Sequence, residues 1–317
     1  MISLVTGAAG FIGSHLAAAL LQKGHTVRGL DCFTDYYSRQ IKDRNLSPLL
    51  KHPRFQFHES DILLTDPTAL LKDTDAVFHL AAQAGVRASW GRSFGVYTRH
   101  NIDATQKLLE AAKDTSLKKF IFASSSSVYG VCPDLPWTET SPLSPHSPYG
   151  VSKLAAEHLC SLYFRNYGVP TVSLRFFTVY GPGQRPDMAF HKFFKAILQS
   201  EPIPVFGDGS QTRDFTYIDD IVAGNIAALK LGRPGEIYNL GGGDQKTLKD
   251  LFPIMESVSG RKVLISLESE QKGDVPDTSA DIRKAQRELN FNPSTSITDG
   301  LKEEWKWIET LYSSSSL

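Results

Sequence analysis

The sequence predicts an α/β fold, a doubly wound parallel sheet with a smaller, interleaved C-terminal domain, and three observations carry that prediction. Short, continuous apolar runs alternate with longer helical patterns from residue 2 onward, as they do where parallel strands are buried on both faces. A glycine-rich turn joins the first run to the first helix. After about residue 180 the texture changes to Pro- and Gly-rich connections around short helical pieces. The 317 residues suffice for about two domains or one large one. The first is placed at residues 1–180 and the second at 181–317, with 214–241 returning to the first.

Taken in order, strands are expected over Ile2–Val5, Val27–Leu30, Phe55–Phe57, Ala76–Ala82, Phe120–Ala123 and Val172–Phe176. Phe11–Gln22 reads as the first helix, followed by Gly24 as its C-terminal cap. Ser147-Pro148 opens a later helix with a capping hydroxyl and a proline suited to the first turn. Phe215–Ile218 and Glu236–Leu240 read as strands that return to the first sheet. Asp219-Asp220 read as N-terminal helix caps, and Ser313–Ser316 as a frayed tail.

Lys plus Arg and Asp plus Glu both total 34, so the chain is formally neutral, and 41% of it is hydrophobic. That composition excludes disorder and argues against a nucleic-acid partner held by a basic face. An anionic ligand would need its counter-charge from a few placed arginines. Cys32, Cys132 and Cys160 are far apart and form no CxxC pair, so neither a disulfide framework nor a zinc site is expected, and a reduced cytoplasm fits. No apolar run approaches the ~18 residues of a membrane span, and the first residues lack the basic stretch of a signal peptide. No membrane partner is expected.

The first strand runs into Thr6-Gly7-Ala8-Ala9-Gly10-Phe11-Ile12-Gly13. Glycines there let the backbone turn tightly and approach a pyrophosphate, whose charge meets the N–H groups of the helix start in a Rossmann-type unit. A plain turn packing helix on strand would use glycines too. Asp31, at the end of the second strand, is placed to accept hydrogen bonds from adenosine ribose hydroxyls and to repel a 2′-phosphate, which favours NAD over NADP. Its alternative is a cap or turn residue. Asp61-Ile62 follow the third strand and suit an adenine ring. His79-Leu80-Ala81-Ala82 ends the fourth strand on small residues that admit the cofactor, with His79 itself read as a satisfied core histidine.

Tyr149 and Lys153 stand i and i+4 on one helix face. A free phenol titrates near ~10, and a neighbouring ammonium together with a nicotinium ring favours the phenolate, making Tyr149 a feasible base. Chance alone yields roughly 0.7 such pairs in a chain of this composition, so position matters more than the pair. Ser124-Ser125-Ser126-Ser127-Val128-Tyr129-Gly130 ends the fifth strand at the carboxyl edge, where open α/β sheets bind ligands.

With these motifs and Arg213-Asp214-Phe215-Thr216-Tyr217-Ile218-Asp219-Asp220, the sequence resembles the extended short-chain dehydrogenase/reductase family. Within it the chain is similar to the NAD-dependent nucleotide-sugar epimerase/dehydratase branch, and most to the UDP-glucuronate 4-epimerases. Asp35-Tyr36-Tyr37, Ala84-Gly85-Val86-Arg87, Phe176-Phe177-Thr178-Val179-Tyr180-Gly181-Pro182, Arg185-Pro186-Asp187-Met188-Ala189 and Gly273-Asp274-Val275-Pro276 carry that likeness.

The resemblance implies a homodimeric isomerase that binds NAD and UDP-glucuronate and forms UDP-galacturonate through a 4-keto sugar. By it, Tyr149, Lys153 and Ser125 are catalytic. Gly7, Gly10, Phe11, Ile12, Gly13, Asp31, Asp61, Ile62, Leu80, Ala81 and Ala82 hold the cofactor, with Tyr149 and Lys153. Arg213 pairs with the diphosphate, with Arg185 as second candidate and Arg87 and Met188 in the same substrate set. Phe206 packs on the uracil, while Gln211 and Asp274 reach the uridine ribose. Ser126, Ser127 and Thr178 form a neutral hydroxyl set for the sugar carboxylate, holding it so that the 4-keto acid does not lose carbon dioxide. UDP-glucose 4-epimerases usually have asparagine where Thr178 stands, and UDP-glucuronate decarboxylases a glutamate where Ser127 stands. Phe206-Gly207-Asp208-Gly209-Ser210-Gln211-Thr212 looks more like the dehydratase and decarboxylase branch, and Cys32 replaces a common asparagine. UDP-glucose epimerisation, UDP-glucuronate decarboxylation and a non-catalytic NAD-binding sensor are the alternatives.

Overall fold

Adjacent residues of each central strand feed opposite cores, which is why the apolar runs are continuous and not alternating. In the computed structural model, which describes residues 1–132, 134–269 and 275–313, Leu4, Val77 and Phe120 join one cluster while Val5, Phe78 and Ile121 join the other. The strands concerned are β1 (Ile2–Thr6), β2 (Thr26–Asp31), β3 (Phe55–Glu59), β4 (Ala76–His79), β5 (Lys119–Ser125), β6 (Thr171–Phe176) and later β10 (Ile237–Leu240). They form one seven-stranded sheet in the order β10-β6-β5-β4-β1-β2-β3, every pair parallel. The order reverses between β1 and β4, so the connections leaving their carboxyl ends run to opposite faces and leave a crevice.

Helices α1 (Phe11–Gln22) and α2 (Arg39–Leu50) cover one face, joined there by α8 (Ile218–Leu231). The other face takes α3 (Pro67–Leu71), α5 (Ala104–Ala112) and α6 (Pro148–Tyr167). A short α4 (Phe94–Tyr97) and a π-helical turn, Thr98–Asp103, lead into α5. The start of α6 follows from its sequence: the Ser147 hydroxyl accepts from the Gly150 N–H at 3.1 Å, Pro148 sits in the first turn, and Gly168 ends the helix left-handed at φ 73°.

Beyond β6 the chain weaves between layers. β7 (Thr178–Tyr180), β9 (Thr212–Tyr217) and β11 (Asp244–Thr247) form a small sheet in the order β11-β9-β7, and β8 (Ile203–Phe206) pairs with β12 (Ile265–Glu268). The helices α7 (Ala189–Gln199), α9 (Leu248–Ser259), α10 (Arg283–Leu289) and α11 (Ile297–Ser313) pack around them, continuous with the first core. Of the two segments expected to rejoin the central sheet, Glu236–Leu240 does so as β10 beside β6, whereas Phe215–Ile218 does not, its first three residues lying in β9. Its edges are taken by β7 and β11, so it carries its side chains into the smaller layer. The cap of α8 also differs from expectation. Tyr217 occupies the cap position, and Asp220, in the first turn, accepts backbone N–H groups of Ser294 and Thr295 at 3.1 and 3.3 Å. The serines expected as a tail beyond 313 lie outside the described residues.

Candidate active site

The crevice begins at the β1–α1 turn. Gly7 adopts φ +72°, a left-handed conformation, and its N–H and that of Ala8 both donate to the Leu30 carbonyl at 2.7 and 3.2 Å. Gly13 lies so close beneath that a Cβ there would stand 2.1 Å from the Gly7 oxygen. The turn is thus flattened onto the first turn of α1, which carries no acidic residue. A phosphate can approach the N–H groups at the start of α1 without repulsion. Such a cradle fits a dinucleotide, and Gly10, Phe11 and Ile12 line it together with Leu80, Ala81 and Ala82. The segment opposite passes so close that a side chain on Gly7 would meet the Ala81 backbone at 3.0 Å.

Asp31 ends β2 in the same wall, buried, where its carboxylate accepts from the Ala9 and Phe33 N–H groups at 3.2 and 3.0 Å and from Lys42 Nζ at 3.2 Å. Lys42 was not singled out by sequence reasoning, because only the fold of α2 over β2 brings it there. Asp61 and Ile62 line the adjoining wall, with Asp61 fixed by Arg99 at 2.8 Å and by the Leu63 N–H at 2.8 Å. His79 is a buried hub between Thr6 and Thr105, at 2.8 and 2.9 Å. Burial and the Lys153 charge push it down to about 3, so it stays neutral, as expected of a satisfied core histidine.

Ser125 closes β5, and the chain turns through a single 3₁₀ turn at Ser126–Val128. The Ser125 hydroxyl accepts from the Ser127 N–H at 3.1 Å and lines the crevice together with Tyr149. One turn along α6 from Tyr149, Lys153 is almost wholly buried, with Nζ 4.6 Å from the Phe122 ring centre. Burial lowers Lys153 to about 8. Burial also pushes the Tyr149 phenol up, while Ser125 and Arg185 pull it down and Asp187 opposes them. A depressed phenol is therefore not a property of the polypeptide alone.

Ser126, Ser127, Thr178, Arg185 and Met188 line the crevice beside Tyr149 and Lys153. Arg185 is held by Asp187 through Nε and Nη2 at 2.9 and 3.0 Å, and the Tyr36 hydroxyl donates to the same carboxylate at 3.0 Å. Tyr36 and Asp187 stood in motifs without an assigned role. Their contact spans 151 residues of chain and is invisible before folding.

Four further candidates gather elsewhere, where Arg87, in the turn after β4, reaches Phe206 of the smaller layer, which also carries Gln211 and Arg213. The Arg87 guanidinium lies 4.3 Å from the Phe206 ring centre, and Gln211 Nε2 donates to the Phe206 carbonyl at 3.1 Å. Arg213 Nη1 donates to the carbonyls of Thr212 and Pro276 at 2.7 and 3.0 Å. Asp274 lies outside the described residues.

A glycine cradle, a carboxylate at the end of β2 and a Ser-Tyr-Lys cluster across the switch point define an α/β protein of the dinucleotide-dependent type. A model of the NAD dependent epimerase/dehydratase family matches residues 3–241, and the chain belongs to that family. It is 44% identical to the UDP-glucuronate 4-epimerase of Thermodesulfobacterium geofontis, over 96% of this chain and 95% of that one. With the Bacillus subtilis protein called uncharacterized UDP-glucose epimerase YtcB it shares 48%, over 98% of each. The crystal structure of the Bacillus cereus UDP-glucuronic acid 4-epimerase in complex with UDP-glucuronic acid and NAD superposes with a TM-score of 0.96 at 48% identity, covering 98% of this chain and all of that one.

Proposed function

We propose that the protein is an NAD-dependent isomerase that interconverts UDP-glucuronate and UDP-galacturonate by epimerisation at C4. The observation that carries this reading is the gathering of Ser125, Tyr149 and buried Lys153 in one crevice with the neutral hydroxyls of Ser126, Ser127 and Thr178. The likeness to the Bacillus cereus enzyme supports the acid sugar. Tyr149 Oη takes the proton of the sugar 4-hydroxyl with help from Ser125, and Lys153 stabilises the phenolate from one helix turn away. Bound NAD supplies the hydride acceptor and donor. The roles of the cradle and of Asp31, Asp61 and Ile62 are to hold the cofactor. Those of Arg185, Met188, Arg87, Phe206, Gln211, Arg213 and Asp274 are to hold the nucleotide while the sugar turns.

Residues 1–180, together with β10, serve the cofactor and the remainder of 181–317 the UDP-sugar. We assign a cytoplasmic setting, consistent with three free cysteines; among the described residues no helix is long and apolar enough to cross a membrane. A homodimer is supported by Phe94, Val96, Val151 and Leu162, exposed large apolar side chains along α4 and α6. Scattering in solution that gives a monomer mass would refute it.

UDP-glucose epimerisation is the second reading, favoured by the likeness to the Bacillus subtilis protein called an uncharacterized UDP-glucose epimerase. Incubating the purified protein with UDP-glucuronate or UDP-glucose, without added reductant, and identifying products by NMR separates the readings. UDP-galacturonate from the acid alone is the expected result. UDP-galactose would support the second reading, UDP-xylose as main product a decarboxylase, and retained NAD without turnover a sensor.

A further inference from the structure

Beneath the serine loop lies a buried ionic network that neither cofactor nor substrate is expected to touch. Glu157 and Arg175 are each only 1% exposed, and they pair bidentately, Arg175 Nη2 to Oε1 at 2.6 Å and Nε to Oε2 at 3.1 Å. Ser124 Oγ donates to Glu157 Oε2 at 2.6 Å, and Arg175 Nη1 donates to the Tyr129 hydroxyl at 2.8 Å. Tyr129 in turn donates to Asn239 Oδ1 at 2.6 Å. The two residues therefore grip the chain on either side of Ser125, Ser126 and Ser127. Glu157 also lies one turn from Lys153 and two from Tyr149 along α6.

A buried ion pair is weak evidence for stability, because well-packed apolar residues of similar volume often serve as well or better; its surer use is to fix one arrangement among several. Here the arrangement fixed is the distance between β5 and α6, the two elements that supply Ser125 and Tyr149. We propose that Glu157, ion-paired with Arg175, is a positioning residue for the reaction, tying both ends of the serine loop to the helix that presents Tyr149 and Lys153. The proposal rests on the roles given above to those three residues.

A second effect follows from the same placement. The titratable groups facing the Lys153 ammonium are Tyr149, Glu157 and Cys160 on its own helix and His79 on β4. Burial keeps the Cys160 thiol and the His79 ring neutral. Glu157 thus supplies the nearby negative charge that favours the lysine cation against burial. Removing that charge lowers Lys153 further, so the loss of activity expected as pH rises through the lysine's titration begins at lower pH.

The test uses the full-length, NAD-loaded protein with UDP-glucuronate. Glu157→Gln is expected to lower kcat at least about tenfold with KM changed less than about twofold, and to move the alkaline limb of kcat down by about one pH unit. Glu157→Asp should restore the limb. Because Glu157→Gln leaves Arg175 charged and unpaired, the double variant Glu157→Gln, Arg175→Met, which removes both charges, is measured beside it, with a smaller limb shift in the same direction expected. Ser124→Ala, which unties one end of the loop and removes no charge, should lower kcat severalfold and leave the limb in place. Melting temperature and retained NAD are recorded for each.

Wild-type kcat and an unmoved limb in a folded Glu157 variant, or wild-type kcat in Ser124→Ala, would overturn the proposal. So would a kcat loss matched by loss of NAD or of fold. Failure of the underlying reading looks different: the wild-type protein would not epimerise, or Tyr149→Phe would match it.

Discussion

The two walls of the crevice are built by different means. The wall assigned to the dinucleotide is mostly backbone: the Gly7–Gly13 turn, the Leu30 carbonyl that holds it, and the Leu80–Ala82 segment opposite. The wall assigned to the UDP-sugar is mostly side chains on loops and short strands, Arg185 and Met188 after β7, and Arg87, Phe206, Gln211 and Arg213 farther out. Backbone geometry admits almost no substitution, whereas side chains on loops are exchangeable. One scaffold therefore keeps its cofactor and varies its substrate.

The sharpest break of that contrast is Gly13→Ala. The new methyl would lie 2.1 Å from the Gly7 oxygen, and the nearest atoms are all backbone, so nothing can swing aside. We expect protein purified without NAD and without measurable epimerisation, read from cofactor released on denaturation and from product NMR. Retained NAD would show that the turn is more plastic than its contacts suggest. Next in size is Tyr149→Phe, which leaves both walls intact. A loss of about 10³ in kcat is expected, with retained NAD unchanged, because only the proton acceptor is removed.

The contrast also explains what was legible in the sequence. Gly7, Gly10 and Gly13 announce themselves because their purpose is local, fixed within eight residues of chain. The same holds for Ser147-Pro148 and for the Tyr149–Lys153 spacing. Lys42 and Tyr36 were not legible as site residues, since their partners Asp31 and Asp187 lie 11 and 151 residues away. Phe215–Ile218 looked like a strand of the central sheet because its composition is that of any buried strand. Which sheet it joins is decided by the edges of β7 and β11, and those are tertiary facts.

A third prediction addresses the hydroxyls between the walls. Replacing Ser126, Ser127 and Thr178 together with alanine should raise UDP-xylose severalfold relative to UDP-galacturonate, since the carboxylate is then free to align with the keto group. An unchanged ratio in NMR-resolved products would remove these residues from any part in suppressing decarboxylation.

The smallest effect should come from the outer cluster. Phe206 is half-buried, and the Arg87 guanidinium stacks on its ring with 4.3 Å to the ring centre. Leucine in its place keeps apolar volume but loses the flat face on which both a base and a guanidinium pack, contacts worth about 0.5–1.5 kcal/mol each. Phe206→Leu is therefore expected to raise KM for UDP-glucuronate by roughly three- to tenfold with kcat held, and to leave retained NAD untouched. The fall should be in uniform binding, since the ring lies on the smaller layer and Tyr149 on α6 of the central sheet. If kcat fell with KM constant, the outer cluster would be acting on the chemistry, and the division of the crevice into a backbone wall and an exchangeable side-chain wall would have to be given up.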